Sequence, residues 1–363
     1  MKRRKAVQLL GASMMATPLP KASFVFIKKE KLGVALVGLG NYATNMLAPS
    51  LQETQYCYLA GIVTGTPKKA RTWKEKYDIP QKNIYNYDTF DQIADNPEID
   101  IVYVVLPNFM HAEYTIRAFE AGKHVICEKP MGMNAAECQQ MIAAQQKSGK
   151  LLQIGYRLFY EPHHLAVKAI GANERWGKVK MMESSLGFRM GRPDSWRMKK
   201  AEGGGGAIMD LGVYCIQAAR RMVGENPIQV TAKGYVDDKQ LFKETYETVL
   251  FQMEFPNGTL CNASTSFNAY VDRFHTAYEE GWLELKPAFN GGQQPILHGS
   301  KNIKISINGN TYQTTAQMDA FVQNIWNKEA PTASGEEGLM DMQIIDAIKA
   351  SIAESRTVEV KYS

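Results

Sequence analysis

The first half of the chain alternates short, continuous apolar runs with longer segments in which apolar residues recur at helical spacing. The first run, Leu32–Val37, is apolar apart from Gly33, which is typical of a strand buried on both faces of a parallel sheet. The pattern predicts strands at residues 32–37, 58–64, 83–85, 101–106, 124–127 and 151–154, and helices at residues 44–52, 68–77, 88–94, 112–121 and 135–147. This alternation predicts a doubly wound parallel sheet in a first α/β domain over residues 32–155.

Beyond residue 155 the pattern changes. A helix is predicted near residues 162–170, and strand-like runs follow that include residues 178–188, 229–235, 248–255 and 259–266. Pro256-Asn257-Gly258 separates the last two runs and is typical of a hairpin turn. Since no Pro- or Ser-rich linker divides the two regions, we expect a second α/β domain over residues 156–363 that is tightly coupled to the first.

The net charge of the chain is concentrated at its start. Lys and Arg number 42 against 37 Asp and Glu, which gives a formal charge of +5, and the five basic residues of positions 1–22 account for all of it. The rest of the chain is formally neutral. Because binding to a phosphate backbone requires a clustered positive field, nucleic acid is not an expected partner.

The cysteines and histidines lack the spacing of a metal or disulfide framework. The 5 Cys residues are scattered and never form C-x-x-C, and His163 and His164 are adjacent rather than one helical turn apart. We therefore expect buried thiols and no metal site.

Residues 1–31 have the layout of an export leader followed by a short arm. A basic cluster precedes a moderately apolar run over residues 6–16 and the small residue Ala22. Arg3-Arg4 indicates the twin-arginine route, although Ala6 stands where that motif usually carries an aromatic residue. We expect a periplasmic protein; a cytoplasmic protein with a basic tail is the alternative. No segment contains the roughly 18 consecutive apolar residues of a membrane span.

A glycine-rich turn follows the first predicted strand directly. The run Gly38-Leu39-Gly40-Asn41-Tyr42-Ala43 matches G-x-G-x-x-A and lies between a strand and a helix, which is the context of a Rossmann dinucleotide site. The first glycine permits a tight turn, and the second lets a pyrophosphate approach the backbone. The predicted cofactor contacts of this turn are Gly38, Leu39, Gly40, Asn41 and Tyr42.

The residues at the end of the second predicted strand indicate which nicotinamide cofactor, NAD or NADP, the fold binds. Folds specific for NAD usually place a carboxylate there, but this chain has Thr64 and Gly65, followed by Lys68, Lys69 and Arg71 at the start of a helix. Cations at a helix N-terminus are unfavourable unless an anion is close. We therefore predict a 2′-phosphate site, with Thr64, Gly65 and Lys69 as contacts, and NADP as cofactor; NAD with solvated lysines is the alternative.

The loops after the fourth and fifth strands are expected to line the same crevice, because ligands of open α/β sheets bind at the carboxyl edge. Lys129, followed by Pro130, lies where chemistry on a nicotinamide would occur. His111 is as consistent with a structural role as with cofactor contact. The predicted contacts in these loops are Leu106, Pro107, Asn108, His111, Glu128 and Lys129.

Four motifs in this order and spacing resemble the Gfo/Idh/MocA oxidoreductases. They are Gly38-Leu39-Gly40, Glu128-Lys129-Pro130, Gly155-Tyr156-Arg157 and Met209-Asp210-Leu211-Gly212-Val213-Tyr214. Residues 111–131, 195–214 and 335–338 are most similar to the glucose-fructose oxidoreductases of that family. The resemblance implies an N-terminal Rossmann domain and a C-terminal α/β domain with a large open, mainly antiparallel sheet. It also implies a homo-oligomer, dimer or tetramer.

The resemblance further implies the catalytic groups. Tyr214 would exchange a proton with the substrate hydroxyl while nicotinamide exchanges the hydride. A phenol is a weak base at neutral pH, but a neighbouring cation favours the phenolate, and Lys129 is the natural cation. Asp210, four residues before Tyr214, would share one helix face with it and orient Lys129 or the substrate, or else cap the helix. The expected sugar contacts are Tyr156, Tyr160, Trp196 and Arg197, with Arg157 at the cofactor.

We therefore expect an NADP-dependent oxidoreductase that transfers hydride between an aldose of the glucose type and nicotinamide. The alternatives are a dehydrogenase or reductase of another sugar, cyclitol or glycoside, an NAD-dependent glycoside hydrolase, and a nonenzymatic nucleotide sensor, against which the Lys129 and Tyr214 pair argues. The chain departs from the glucose-fructose enzymes at Asn41, at Phe159 and in its short arm. These departures bear on whether the cofactor stays bound between turnovers and on which two sugars the enzyme uses.

Overall fold

The computed structural model describes residues 29–172, 176–289, 296–300 and 313–363. The predicted leader, apart from residues 29–31, lies outside the described residues. Residues 31–363 form one compact unit. Among the helices described, none is both long enough and apolar enough to span a membrane.

A six-stranded parallel sheet forms the first half, as predicted. Its strands are β1 (Leu32–Val37), β2 (Cys57–Val63), β3 (Ile84–Tyr85), β4 (Ile101–Val104), β5 (His124–Cys127) and β6 (Leu152–Ile154). They are arranged in the order β3-β2-β1-β4-β5-β6. Both faces are covered, so strands such as β1 and β4 are buried at every position, which explains their continuous apolar runs.

The helices of this half follow the strands. They are α1 (Ala48–Glu53), α2 (Pro67–Tyr77), α3 (His111–Glu120) and α4 (Ala135–Ser148). A π-helical turn, Ala43–Leu47, leads into α1, and the segment predicted as a helix at residues 88–94 is a 3-10 helix, Phe90–Asp95. The expected doubly wound α/β fold is confirmed.

The second half contains a mixed, mostly antiparallel sheet. Its strands are β7 (Val179–Gly187), β8 (Gln229–Tyr235), β9 (Thr248–Glu254), β10 (Leu260–Ser266), β11 (Val271–Tyr278), β12 (Trp282–Lys286), β13 (Ile296–Gly299) and β14 (Val358–Glu359). Their order is β13-β12-β11-β7-β10-β9-β8-β14, and only β7 and β10 are parallel among the strand pairs described. The predicted turn at residues 256–258 joins β9 to β10 as a hairpin.

Helices cover one face of this sheet. They include α7 (Val213–Val223) and α9 (Gly335–Glu354), which contact β7, β8 and β10, while α5 (Pro162–Ala172) and α6 (Lys200–Gly203) precede α7. Strand β9 alternates between Val249, Phe251 and Met253 in the core and Leu250 and Gln252 on the exposed face. The sheet is therefore open on one side, as its alternating pattern requires.

Helix α8 (Gln313–Asn327) ties the two halves together. Its apolar residues Met318, Phe321 and Val322 pack in the same core cluster as residues of β1 and β4. The Asp319 carboxylate accepts hydrogen bonds from the backbone N–H groups of Gln55 and Tyr56, just before β2. A segment from the second sequence region thus completes the core of the first, which accounts physically for the absence of a linker.

Candidate active site

The turn after β1 has the geometry of a dinucleotide cradle. Gly38 has a φ of 96°, and a Cβ atom there would lie 2.6 Å from the carbonyl oxygen of Val105, so the tight turn requires glycine. A Cβ on Gly40 would meet no atom within 4 Å, which leaves its backbone open to an approaching ligand. These features fit a pyrophosphate, with Leu39, Asn41 and Tyr42 beside it.

A lysine lies against this turn. Lys69 on α2 donates from Nζ to the main-chain oxygen of Leu39 at 2.9 Å. The first turn of α2 contains no acidic residue, and Thr64 and Gly65 follow β2 where a ribose-binding carboxylate would otherwise lie. The surroundings of Lys69 therefore fit a phosphate on the adenosine ribose better than a free diol.

Two buried polar residues fix the loop after β4: His111 ties it to the loop after β5, and Asn108 ties it to α6. His111 lies in the core, with Nδ1 at 2.8 Å from the oxygen of Pro130 and Nε2 at 2.9 Å from the oxygen of Leu106, and burial lowers its pKa. Asn108, next to Pro107, donates to the oxygen of Gly203 at 2.9 Å. The contacts of His111 support a structural role rather than contact with the cofactor.

Glu128 lies beneath the site in the core. Its Oε1 accepts a hydrogen bond of 2.8 Å from the Tyr103 hydroxyl, and burial raises the pKa of the carboxyl. Glu128 is not among the residues that line the cavity described below. Its contacts hold the backbone that precedes Lys129.

An ion-pair cluster brings Lys129 to the second domain. Lys129 Nζ donates to Oδ1 of Asp210 at 2.9 Å, and Arg197 Nε donates to Oδ2 of Asp210 at 2.9 Å. Burial alone would raise the pKa of Asp210, but the two cations lower it to about 2. Burial alone would lower the pKa of Lys129, but the Asp210 carboxylate holds it above its ordinary value. Lys129 and Asp210 are therefore both charged at neutral pH.

Tyr214 lies in the first turn of α7, directly after the helical turn that contains Asp210. Asp210 belongs to a π-helical turn, Ile208–Gly212, and Tyr214 belongs to α7, so the single helix expected for the two residues has a π-helical start. Such turns recur at functional sites. Lys129 Nζ lies 4.8 Å and Arg157 Cζ lies 5.4 Å from the centroid of the Tyr214 ring.

A cavity of about 730 Å³ opens at this cluster, a size typical of small-molecule sites. It is lined by four of the predicted site residues, Lys129, Arg157, Asp210 and Tyr214. The opposite wall comes from the second sheet and was missed by the sequence reasoning, since no motif marks it. Its side chains include Phe188, Tyr270, Asp272, Lys286 and Phe289.

None of the four expected sugar contacts, Tyr156, Tyr160, Trp196 and Arg197, is among the residues that line this cavity. Tyr156 is 1% exposed and stacks on Phe159 in the core, with ring centroids 5.7 Å apart. Tyr160 donates its hydroxyl to Oε1 of Gln153 at 2.8 Å, and burial raises its pKa to about 12. Aromatic side chains bury large areas in cores, which explains both positions.

Trp196 and Arg197 lie in a 3-10 helical turn, Trp196–Met198, and are half-buried. The Arg197 guanidinium lies 4.3 Å from the centroid of the Trp196 ring and reaches Asp210. Arg197 thus belongs to the ion-pair cluster of Asp210, and Trp196 contacts that cluster through Arg197.

Three family models cover nearly all of the chain from residue 32. The model described as an oxidoreductase family with an NAD-binding Rossmann fold matches residues 32–156. The GFO/IDH/MocA C-terminal domain matches residues 164–284, and the C-terminal alpha/beta domain of the oxidoreductase family matches residues 288–360. The order of the matches follows the two halves of the fold.

Individual relatives agree with these models. The structure of an aldose-aldose oxidoreductase from Caulobacter crescentus with glycerol is 37% identical, with a TM-score of 0.88, and the match covers 91% of this chain and 99% of that chain. A D-xylose 1-dehydrogenase [NADP(+)] from Haloarcula marismortui is 25% identical over 330 residues, 88% of this chain and 91% of that protein. A levoglucosan dehydrogenase with NADH and levoglucosan has a TM-score of 0.79 at 20% identity, covers 92% of this chain and 100% of that chain, and is similar in fold alone.

The matched models, the aldose-aldose relative and the cradle after β1 lead to the same conclusion. The chain belongs to the Gfo/Idh/MocA family of NAD(P)-dependent oxidoreductases that act on CH–OH groups.

Proposed function

We propose that the protein is an NADP-dependent oxidoreductase that oxidises an aldose at its anomeric carbon and returns the hydride to a second sugar. The observation that carries this proposal is the cluster of Lys129, Asp210 and Tyr214 on a cavity at the carboxyl edge of the Rossmann sheet. The aldose-aldose relative, at 37% identity over 91% of the chain, supports a sugar as both donor and acceptor. The NADP-linked xylose 1-dehydrogenase supports oxidation at carbon 1.

The side chains divide the reaction between them. Converting a cyclic hemiacetal to a lactone removes a hydride from carbon and a proton from the hydroxyl oxygen. Tyr214 takes that proton. Lys129 donates a hydrogen bond to the same oxygen, which stabilises the negative charge that develops there. A nicotinamide cofactor held at the glycine turn of Gly38 and Gly40 would supply the hydride acceptor for the first sugar and the hydride donor for the second.

Asp210 keeps the cation in place. Its carboxylate is held by Lys129 and Arg197 together, so the Lys129 ammonium is fixed at the cavity wall before any substrate arrives. A pre-oriented cation costs no reorganisation when charge develops on the substrate. In the reverse direction Tyr214 returns a proton to the carbonyl oxygen of the acceptor sugar.

Lys69 favours NADP over NAD. Its ammonium is held beside the glycine turn by Leu39, at the end of the sheet where the adenosine ribose of Rossmann cofactors lies. A 2′-phosphate there would gain a charge-assisted hydrogen bond that a free hydroxyl lacks.

The experiment that tests the proposal is a turnover assay on the purified protein. The protein is first denatured and the supernatant analysed for released NADP(H). Reduced-nicotinamide absorbance is then followed while a panel of aldoses, and fructose, is added in alternation. Reduction by one aldose and reoxidation by another sugar would support the proposal. No response to any sugar would overturn it, whereas glycoside cleavage without net redox would indicate the hydrolase alternative.

The open face of the second sheet supports a homo-oligomer. Met181, Tyr235, Leu250 and Leu260 are all exposed on this face by 38% or more, and they point away from α7 and α9. Exposed apolar groups on one sheet face are typical of an interface. Light scattering of the purified protein should give a dimer or tetramer mass, and Leu250→Glu should lower it; a monomer would contradict this part of the proposal.

We also propose that the protein is exported. This part of the proposal rests only on the sequence of residues 1–31. N-terminal sequencing of the mature protein from its native host should begin near residue 23. Recovery of an uncleaved chain from the cytoplasm would contradict it.

A further inference from the structure

Ala288 and Phe289 follow Pro287 just after the end of β12. The N–H and carbonyl groups of both residues are all hydrogen-bonded to side chains. The N–H groups of Ala288 and Phe289 both donate to Oδ1 of Asp272, at 2.7 Å and 2.8 Å. The oxygen of Ala288 lies 2.7 Å from Nε2 of His164, and the oxygen of Phe289 accepts a hydrogen bond of 2.5 Å from Arg157. Both residues are only 1% exposed. This segment, residues 288–289, is thus fixed by three separate elements.

The Asp272 carboxylate sets the direction of both peptide units. Asp272 is the second residue of β11 and is paired with Leu186 of β7, so its carboxylate is carried by a strand of the sheet rather than by a loop. The N–H and C=O of a trans peptide unit point in opposite directions, so these two bonds turn the carbonyl groups of Pro287 and Ala288 away from Asp272. They also fix the backbone that leads to the Phe289 carbonyl, which Arg157 holds. A buried N–H without a partner is costly, so no other orientation of the segment is equally favourable.

The Phe289 carbonyl in turn orients Arg157. One guanidinium nitrogen donates to this carbonyl, and another donates to the side-chain oxygen of Gln313 on α8. The planar guanidinium has few orientations that satisfy both acceptors. The result is that Arg157 lies over the Tyr214 ring, 5.4 Å from its centroid, on the wall of the cavity.

The Phe289 side chain reaches the same tyrosine. Its ring centroid lies 6.2 Å from that of Tyr214, with the planes inclined by 38°. The segment therefore contacts Tyr214 in two ways, through the Phe289 ring and through Arg157.

We propose that Asp272 is a positioning residue for the reaction, acting on Tyr214 through residues 288–289 and Arg157. This inference rests on the proposed function, in which Tyr214 exchanges the proton. A displacement of about 1 Å at a catalytic group can reduce turnover about 100-fold. Loss of the Asp272 carboxylate should therefore lower kcat far more than it alters the affinity for NADPH.

Asp319 provides a matched control. Its carboxylate also accepts the N–H groups of two consecutive residues, Gln55 and Tyr56, at 2.9 Å to 3.1 Å. Those residues precede β2, so they lie at the amino edge of the Rossmann sheet, opposite the edge that carries the cavity. Asp319→Ala should therefore disturb a loop of the same kind without disturbing the site.

The closing experiment combines kinetics with a crystal structure. The variants are Asp272→Ala, Asp272→Asn, Arg157→Ala, the double variant Asp272→Ala with Arg157→Ala, and Asp319→Ala. We expect Asp272→Ala to lower kcat about 10- to 100-fold, and Asp272→Asn, which keeps an acceptor oxygen, to restore most of it. The double variant should be no slower than Arg157→Ala, because Asp272 acts through Arg157. Asp319→Ala should keep kcat within about 2-fold of the unmodified protein.

Each contrary outcome has one meaning. Multiplying losses in the double variant, or an equal loss in Asp319→Ala, would overturn the proposal, and a loss confined to KM would assign Asp272 to substrate contact instead. If Asp272→Ala does not fold, Asp272→Asn takes its place, and its crystal structure must show Arg157 held over Tyr214. If the unmodified protein turns over no sugar, the proposed function fails. The structure of Asp272→Ala then tests the inference alone: a displaced Arg157 supports it, and an unmoved one overturns it.

Discussion

Lys129 donates two hydrogen bonds to a single residue, Asp210, one to carboxylate Oδ1 at 2.9 Å and one to the main-chain oxygen at 2.8 Å. Asp210 belongs to the π-helical turn Ile208–Gly212, which leads directly into α7. The ammonium is consequently tied to both the side chain and the backbone of the segment that carries Tyr214. This links the β5 edge of the Rossmann sheet directly to the second domain.

Removal of the ammonium should reduce turnover strongly. Lys129→Met keeps an unbranched side chain only one atom shorter but loses the cation that stabilises charge on the reacting oxygen, so we expect kcat to fall about 100- to 1,000-fold. Steady-state assays with the best aldose of the panel measure the change. Lys180→Met, which removes a solvent-exposed partner of Glu279, is the control and should leave kcat unchanged. A Lys129→Met enzyme within 3-fold of normal activity would contradict the assigned role.

Removal of the phenol oxygen should stop proton exchange without affecting the cofactor. Tyr214→Phe keeps the ring between Lys129 and Arg157, so we expect normal NADPH binding and a loss in kcat of about 100- to 10,000-fold. Nucleotide fluorescence measures the affinity, and stopped-flow absorbance measures the hydride step. Tyr58→Phe, at an exposed position on β2, is the matched control. Normal turnover by Tyr214→Phe would require another acid and base.

The Rossmann half could be predicted from sequence because its strands are buried on both faces, so burial leaves an unbroken apolar run followed by a glycine turn. Lys129 was predicted from its position after the fifth strand, whereas the roles of Asp210 and Tyr214 were implied by the resemblance to the Gfo/Idh/MocA oxidoreductases. Residue type alone could not distinguish Tyr156, which fills the core, from Tyr214, which lines the cavity. Phe289 was not predicted because its partner Arg157 lies 132 residues away in the sequence. Asp272 was not predicted because its bonds to Ala288 and Phe289, 16 and 17 residues away, follow no periodic pattern.

The lysine beside the glycine turn should determine the choice of nucleotide. Lys69→Ala removes the cation expected at the 2′-phosphate, so we expect the Kd for NADPH to rise about 10- to 100-fold and the Kd for NADH to change little. Titration of the protein, freed of nucleotide, with each cofactor gives both constants. Lys74→Ala is the control, because Lys74 lies on the same helix and donates to Gln81 instead. Equal weakening for both nucleotides would show that Lys69 only stabilises the turn.

The ionised Asp210 carboxylate should contribute to stability in a defined acidic range. Its pKa is lowered to about 2 in the folded protein, against an ordinary value of 3.8. The stabilisation is therefore complete above about pH 4, where the unfolded chain is also ionised, and is lost as the pH falls through about 2. The difference amounts to about 2 kcal/mol in the free energy of unfolding.

Asp210→Asn tests this range, because an amide does not titrate. The gap in unfolding free energy between the unmodified protein and Asp210→Asn, measured by urea titration, should be about 2 kcal/mol larger at pH 5 than near pH 2. In a Lys129→Met background the gap should depend less on pH, because Lys129 is the larger of the two cationic influences on Asp210. If the gap stayed constant from pH 5 to pH 2, the carboxylate would not be held ionised by Lys129 and Arg197, and the pre-oriented cation that Tyr214 requires would lose its anchor.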